Sequence, residues 1–154
     1  MTELALPKID KDTISRKDQI VSHLKKFTKD ENILSENEEI KPYETDGLAA
    51  YKQTPLAVVL PENTKEVSEI LKFCNEENIK VIPRGAGTGL SGGALPLQDA
   101  ILLGLGKFNK ILEIDFENKC VVTQPGVTNL GITHAVQHKG YYYAPDPSSQ
   151  LACS

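Results

Sequence analysis

Cysteine is scarce and scattered. Cys74, Cys120 and Cys153 are the three in the chain, and no two stand in a Cys-x-x-Cys spacing. That argues against a disulfide frame and a cysteine zinc site, and suits reduced thiols of a cytoplasmic protein. Long apolar runs are missing as well, so no stretch reaches the length of a membrane span. There is no long basic run and the net charge is −4, which argues against nucleic acid as a partner. The first residues, MTELALPKIDKD, have neither the basic start nor the apolar core of a signal peptide, so export is not indicated. What remains is ordinary for a soluble globular domain: 154 residues, 40% hydrophobic and 25% charged.

Side chains themselves are scarce in one place. Val81 to Leu97 reads VIPRGAGTGLSGGALPL, and Gly85, Gly87, Gly89, Gly92 and Gly93 fall within it. Such a run cannot build a hydrophobic core. Its backbone can bend freely and let another group approach closely. Successive N–H groups in such a loop form an anion-binding concavity. The expectation is a phosphate cradle with Arg84 at its mouth as a fixed positive charge.

Two other glycine-rich sites fit poorly. Gly87 to Gly92 matches the letters GxGxxG, but a Rossmann fingerprint opens a helix, and Pro96 with the apolar run Ile101 to Leu105 leaves no room for one. No Gly-Lys-Ser/Thr follows, so a P-loop is also excluded. A glycine loop joining two strands survives, with a flexible surface loop as the plain alternative.

Around that loop the chain reads as alternating strands and helices. Residues 1–13 are expected to fray. Ser15 to Asp18 has the form of a capping box, and Ile20, Val21, Leu24 and Phe27 predict a helix over 17–28. Residues 31–41 read as a short element plus loop, and 42–48 as an ordered loop. Leu56 to Leu60 predicts a buried strand. Asn63 and Glu66 cap a helix over 65–77 with Val67, Ile70, Leu71 and Cys74 as its apolar stripe. Lys80 to Ile82 gives a second strand, so this unit should be a parallel, right-handed strand–helix–strand. The glycine loop then leaves the carboxyl end of a strand, where α/β sheets bind ligands.

Beyond the loop, Ile101 to Leu105 predicts a third strand. Residues 111–115 and 120–124 predict an antiparallel hairpin whose turn carries Asp115 as a surface acid. Asn129 is the expected cap of a helix ending near Lys139, with Gly140 after its end. His134 and His138 share a face of it, but no metalloprotease Glu follows His134, so surface histidines are the better reading. Tyr141 to Tyr143 predict a short strand. Residues 144–149, APDPSS, form a stiff turn, a surface feature or the rigid wall of a bound ring.

PLAVVLPEN, VIPRGAGTGLSGGALP, VVTQPGV and YYYAPDPSS in this order resemble the FAD-binding (PCMH-type) domain of the vanillyl-alcohol oxidase superfamily. PYETDGLAAY is similar to the FAD-containing subunits of bacterial glycolate oxidases and to FAD-linked D-lactate dehydrogenases. The resemblance implies an α+β fold in which FAD lies between two subdomains, the first a complete βαβ unit and the second cut short. Residues 1–50 would be a helical extension and 51–154 the FAD-binding domain. Pro83, Arg84, Gly85, Ala86, Gly87, Thr88 and Gly89 would hold the diphosphate, with Ser91 and Gly92 alongside. Gln124, Pro125 and Gly126 would line the groove, and Pro145, Asp146 and Ser148 would lie near the flavin.

The implied activity is oxidation of a 2-hydroxy acid, glycolate or D-lactate, in a cytoplasmic enzyme that partner subunits could hold at the inner membrane. The family's next motif, Ile-Gly-Gly-Asn, and its cap domain are missing, so the chain reads as a fragment inactive alone. No catalytic acid or base and no metal ligand can be named. Within the superfamily, the reductase acting on UDP-N-acetylenolpyruvoylglucosamine fits PYETDGLAAY and PDPSS poorly. The non-enzyme alternative is an FAD-binding or subunit-association module of a split enzyme.

Overall fold

A computed structural model of the chain describes residues 7–145 and 147–154. In order, the elements are α1 (Lys11–Ser15), α2 (Lys17–Leu24), β1 (Ile33–Leu34), α3 (Asn37–Ile40), β2 (Ala57–Val59), α4 (Thr64–Glu76), β3 (Lys80–Arg84), β4 (Ala100–Gly104), β5 (Ile111–Asp115), β6 (Cys120–Thr123) and α5 (Asn129–Val136). Four strands form one sheet in the order β1-β2-β4-β3, and β5 and β6 form a separate antiparallel hairpin.

β4 is the central strand, and every residue of it is buried. It runs parallel to β2, with Ala57 opposite Ile101, and parallel to β3, with Lys80 opposite Ala100 and Arg84 opposite Gly104. The expected parallel unit is therefore present, but its two strands are not neighbours, because β4 inserts between them. Alternation divides the strands between two faces. Ala57, Val59, Ile101 and Leu103 join Ile20, Leu24, Ile70 and Phe73 on one side. Val58 and Leu102 meet Ile40 on the other, beside Leu34 and Tyr43. The core thus takes in residues from before and after position 50.

Several local expectations needed correction. Residues 11–15 do not fray but form α1, because the Asp10 carboxylate accepts the Asp12 N–H at 2.9 Å and the Thr13 hydroxyl at 2.9 Å. Ser15 caps nothing: its hydroxyl donates back to Asp12 O at 2.7 Å, and Arg16 starts α2 without a side-chain cap. α2 ends at Leu24, earlier than expected, where bonds from Lys26 N to His23 O and Phe27 N to Leu24 O tighten the last turn. In α4, Asn63 caps as expected by accepting from Glu66 N. The buried stripe, however, contains Phe73 in place of Leu71, which is 44% exposed. The cause is a stack of Phe73 on His23, ring centroids 4.3 Å apart.

The hairpin forms as expected, with Asp115 accepting from Glu117 N, Asn118 N and the Asn118 amide. The cap of α5 is Thr128 rather than Asn129, through Gly131 N at 3.1 Å. α5 gives way to a 3₁₀ turn over Gln137–Lys139, and Gly140 follows at φ 77°. Tyr141 to Tyr143 form no strand: the Tyr143 N–H is spent on the Thr133 hydroxyl at 3.1 Å rather than on a neighbouring strand.

Candidate functional site

The glycine loop leaves β3 at Arg84 and returns to the start of β4. Since β3 and β4 are adjacent and parallel, the loop must travel back along the sheet, and it does so without a helix. Residues 85–94 carry ten N–H groups, and among the described residues none donates to a backbone or side-chain acceptor. The first bond after them runs from Leu95 N to Gly92 O at 3.2 Å. An unmade donor in a buried place is costly, but Gly85, Ala86, Gly89, Leu90, Ser91 and Gly93 are exposed. This is a surface of free amides, the arrangement an anion needs.

The glycines of the loop differ in why they are tolerated. Gly87 has φ 73°, a backbone that L side chains rarely adopt, and the Arg84 guanidinium fills the space where its Cβ would stand. Gly89 and Gly93 have open space around that position and no positive φ. Nothing in the protein's own packing requires glycine there.

Arg84 is turned back onto the chain. Its Nη1 donates to Thr45 O at 2.7 Å and Tyr43 O at 3.3 Å, and its guanidinium carbon lies 5.7 Å from the centre of the Tyr43 ring. The segment it holds is braced at its base. Gln53 N donates to Glu44 O at 2.8 Å, and the Glu44 carboxylate meets Lys41 at 2.6 Å and Lys52 at 3.3 Å. The Lys41 hydrogen bond outweighs burial and, with Lys52, holds the Glu44 carboxyl below its ordinary value. Asp46 is buried; one oxygen accepts from Leu48 N at 2.9 Å and the other has no partner among the described residues. Gly47 is pressed on the glycine loop: a Cβ there would lie 2.6 Å from Thr88 O and 2.7 Å from Gly89 O. The sequence predicts an ordered loop over 42–48; its contacts with Arg84 and the glycine loop run through backbone atoms, which no side-chain pattern marks.

The second expected group lies at the foot of the loop. Leu105 N donates to Arg84 O at 2.8 Å, Phe108 N to Leu105 O at 2.9 Å, and Gly126 N to Phe108 O at 2.8 Å. Residues 124–126 are thus tied to the end of β4, beside the origin of the loop. Gln124 is paired with Lys110: its Oε1 accepts from Lys110 N and its N donates to Lys110 O. Pro125 is exposed.

The third group folds over the start of α5. Pro145 O accepts from the Asn129 amide at 3.1 Å, while Asn129 N and Leu130 N donate to Cys153 O and Gln150 O. Those N–H groups of α5 are occupied within the chain. Ser148 and Pro145 are exposed, and Asp146 lies outside the described residues. Ser154 reaches the loop, since a Cβ on Gly85 would stand 2.8 Å from its Oγ. Gly47, Gly126 (through Leu105) and Ser154 therefore stand at the glycine loop or its origin, while Pro145 is tied to α5. No group of three or more His, Cys, Asp or Glu among the described residues could hold a metal ion. No helix among them is long and apolar enough to cross a membrane.

A family model described as an FAD binding domain matches residues 55–154. The glycolate oxidase subunit GlcD of Escherichia coli K12 is 47% identical over 150 residues, covering 97% of this chain and 29% of that protein. A D-lactate dehydrogenase of Archaeoglobus fulgidus is 43% identical over 95 residues, 62% of this chain and 21% of its own length. Substrate-bound p-cresol methylhydroxylase superposes with a TM-score of 0.72 at 25% identity, over 89% of this chain and 27% of that one. The chain spans under a third of the length of these relatives. The expected α+β, PCMH-type fold is thereby shown. With a family match running unbroken from β2 past the glycine loop to the last residue, the chain belongs to the FAD binding domain family and FAD is its cofactor.

Proposed function

We propose that these residues form the FAD-holding part of an oxidoreductase acting on a 2-hydroxy acid, glycolate or D-lactate. The observation that carries the reading is the run of free amides from Gly85 to Ala94. A diphosphate supplies the acceptors such a surface lacks, and backbone donors cost no side-chain entropy to fix. Gly87, Thr88 and Gly89 form the centre of that surface, with Pro83, Arg84, Gly85 and Ala86 at its entry and Ser91 and Gly92 at its far side. Gln124 to Gly126 lie at its foot, and Pro145 and Ser148 are proposed to complete the site nearer the flavin, with Asp146 outside the described residues. When bound, FAD supplies two-electron acceptor chemistry, and the protein's task is binding and orientation.

The substrate class rests on the two relatives named for glycolate and D-lactate. We further propose that the 154 residues hold FAD without turning over substrate alone, since they correspond to 29% of the glycolate oxidase subunit. A second reading, a non-catalytic module that docks on other subunits, is favoured by the exposed apolar Leu112 and Val122 of the two-stranded hairpin.

Gly89→Val tests the cradle cleanly. The position is open and at ordinary φ, so the thermal midpoint should stay within about 2 °C. FAD affinity, read by flavin fluorescence, should fall at least roughly tenfold, the equivalent of one or two lost hydrogen bonds. Unchanged affinity would remove the cradle. Glycolate or D-lactate turnover by this chain with an artificial acceptor would overturn the claim that it does not act alone.

A further inference from the structure

We infer that residues 43–48 are a second wall of the cradle, and that Arg84 and Gly47 are positioning residues that aim its amides. The inference rests on the FAD reading above. Its starting point is which side of the loop the wall touches. Gly47 stands against the carbonyl oxygens of Thr88 and Gly89. Every peptide bond described is trans, so each carbonyl points opposite to the N–H of the same plane. The N–H groups of Gly89 and Leu90 therefore point away from the wall. Two consecutive carbonyls turned to one side leave two consecutive N–H groups turned to the other, the geometry of an anion nest.

The wall has to be held for this to work. Arg84 does so with one nitrogen on two carbonyls, Thr45 O and Tyr43 O, and its plane near the Tyr43 ring. The same guanidinium lies over Gly87, at the left-handed bend that starts the nest. One side chain thus joins the end of β3, the wall and the bend. A lysine would keep the charge but not the guanidinium plane that lies over Gly87 and near the Tyr43 ring. Arg84 then acts on the diphosphate through the loop rather than by charge.

The test compares wild type, Arg84→Lys, Arg84→Gln and Tyr43→Leu in the 154-residue chain. FAD, ADP and riboflavin are the probes, and thermal midpoints and hydrogen exchange at Leu48 and Gln53 are read alongside. Positioning predicts that Arg84→Lys and Arg84→Gln weaken FAD and ADP equally, by roughly tenfold. Riboflavin, which has no diphosphate, should bind as to wild type. The salt dependence of FAD binding should be the same in all the variants, since no phosphate-neutralising charge is lost. Exchange at Leu48 and Gln53 should quicken in both Arg84 variants even without ligand.

Full recovery by Arg84→Lys, with a flatter salt dependence in Arg84→Gln, would show direct phosphate contact and overturn the inference. Unchanged exchange at Leu48 and Gln53 in both Arg84 variants would overturn the tie itself. Wild type that binds neither FAD nor ADP would instead overturn the cofactor reading, and the positioning role with it. Tyr43→Leu keeps the guanidinium's hydrogen bonds and loses only the ring, so a smaller loss of FAD affinity than in Arg84→Lys is expected; an equal or larger one would overturn the assignment of the tie to Arg84's hydrogen bonds and its packing over Gly87.

Discussion

Lys80 and Asp99 clamp the sheet at the end opposite the start of the glycine loop. Lys80 Nζ lies 2.6 Å from Asp99 Oδ2, which also accepts the Asp10 N–H at 2.6 Å. Lys80 opens β3, and Asp99 stands just before β4. The carboxylate is 2% exposed, so the pair fixes where the returning loop meets the sheet. Burial pushes the Asp99 carboxyl up, but the Lys80 hydrogen bond, the Asp10 amide and the Lys80 charge outweigh it and hold the carboxyl below its ordinary value.

A lowered native value means that Asp99 adds stability above its unfolded value, about 3.9, and that this is lost as pH falls through the native one. Asp99→Asn should cost about 1–3 kcal/mol at pH 7, the range for a buried polar group with weakened partners. Its urea midpoint should also fall less steeply than wild type below about pH 4. Parallel curves for the two proteins would show that the pair adds nothing.

Gly126 makes a prediction about the groove's foot. A Cβ there would collide with Leu105 O and come within 2.9 Å of Phe108 O, both backbone atoms. Backbone cannot swing aside as a flexible side chain can. Gly126→Ala should cost about 1–3 kcal/mol, a thermal midpoint lower by roughly 3–10 °C for a chain of this size. A midpoint within 1 °C of wild type would contradict the packing described.

How much of this was legible in the sequence follows how local each cause was. The α4 cap and the hairpin turn were readable because Asn63 bonds Glu66 and Asp115 bonds Asn118, each three residues away. The glycine loop was readable because it lacks side chains, a property of composition. The insertion of β4 between β2 and β3 was not, since nothing local specifies which strand neighbours which. Phe73 displaced Leu71 from the core through His23, fifty residues earlier. Arg84 was expected as a fixed positive charge at the cradle's mouth, and its acceptors are carbonyls of residues 43 and 45, which leave no trace in side-chain identity.

Cys74 should be chemically silent. It lies in the core between α4 and the sheet, and burial pushes its thiol up to about 11. Cys120 is exposed at the start of β6. A thiol reagent should reach Cys120 without any opening of the fold. Cys74 should react only as fast as the protein opens, at least roughly a hundredfold slower. Mass mapping of the labelled peptides checks this, and early labelling of Cys74 would mean that the α4 packing is wrong.

The last prediction separates glycines the fold needs from those only a ligand would need. Gly87 sits at φ 73° against the Arg84 guanidinium. Gly87→Ala pays the left-handed penalty, about 1–2 kcal/mol, and must also displace that side chain. Gly93 has open space and no positive φ, so Gly93→Ala restricts the unfolded chain without straining the folded one and should stabilise by about 0.4–1 kcal/mol. The two substitutions add the same methyl group to the same loop, yet their thermal midpoints should move in opposite directions. Flavin retention then sorts the remaining cause. If Gly93→Ala raises the midpoint and weakens FAD, the glycine is kept open for the cofactor; if it raises the midpoint and leaves FAD binding intact, the cradle ends before residue 93.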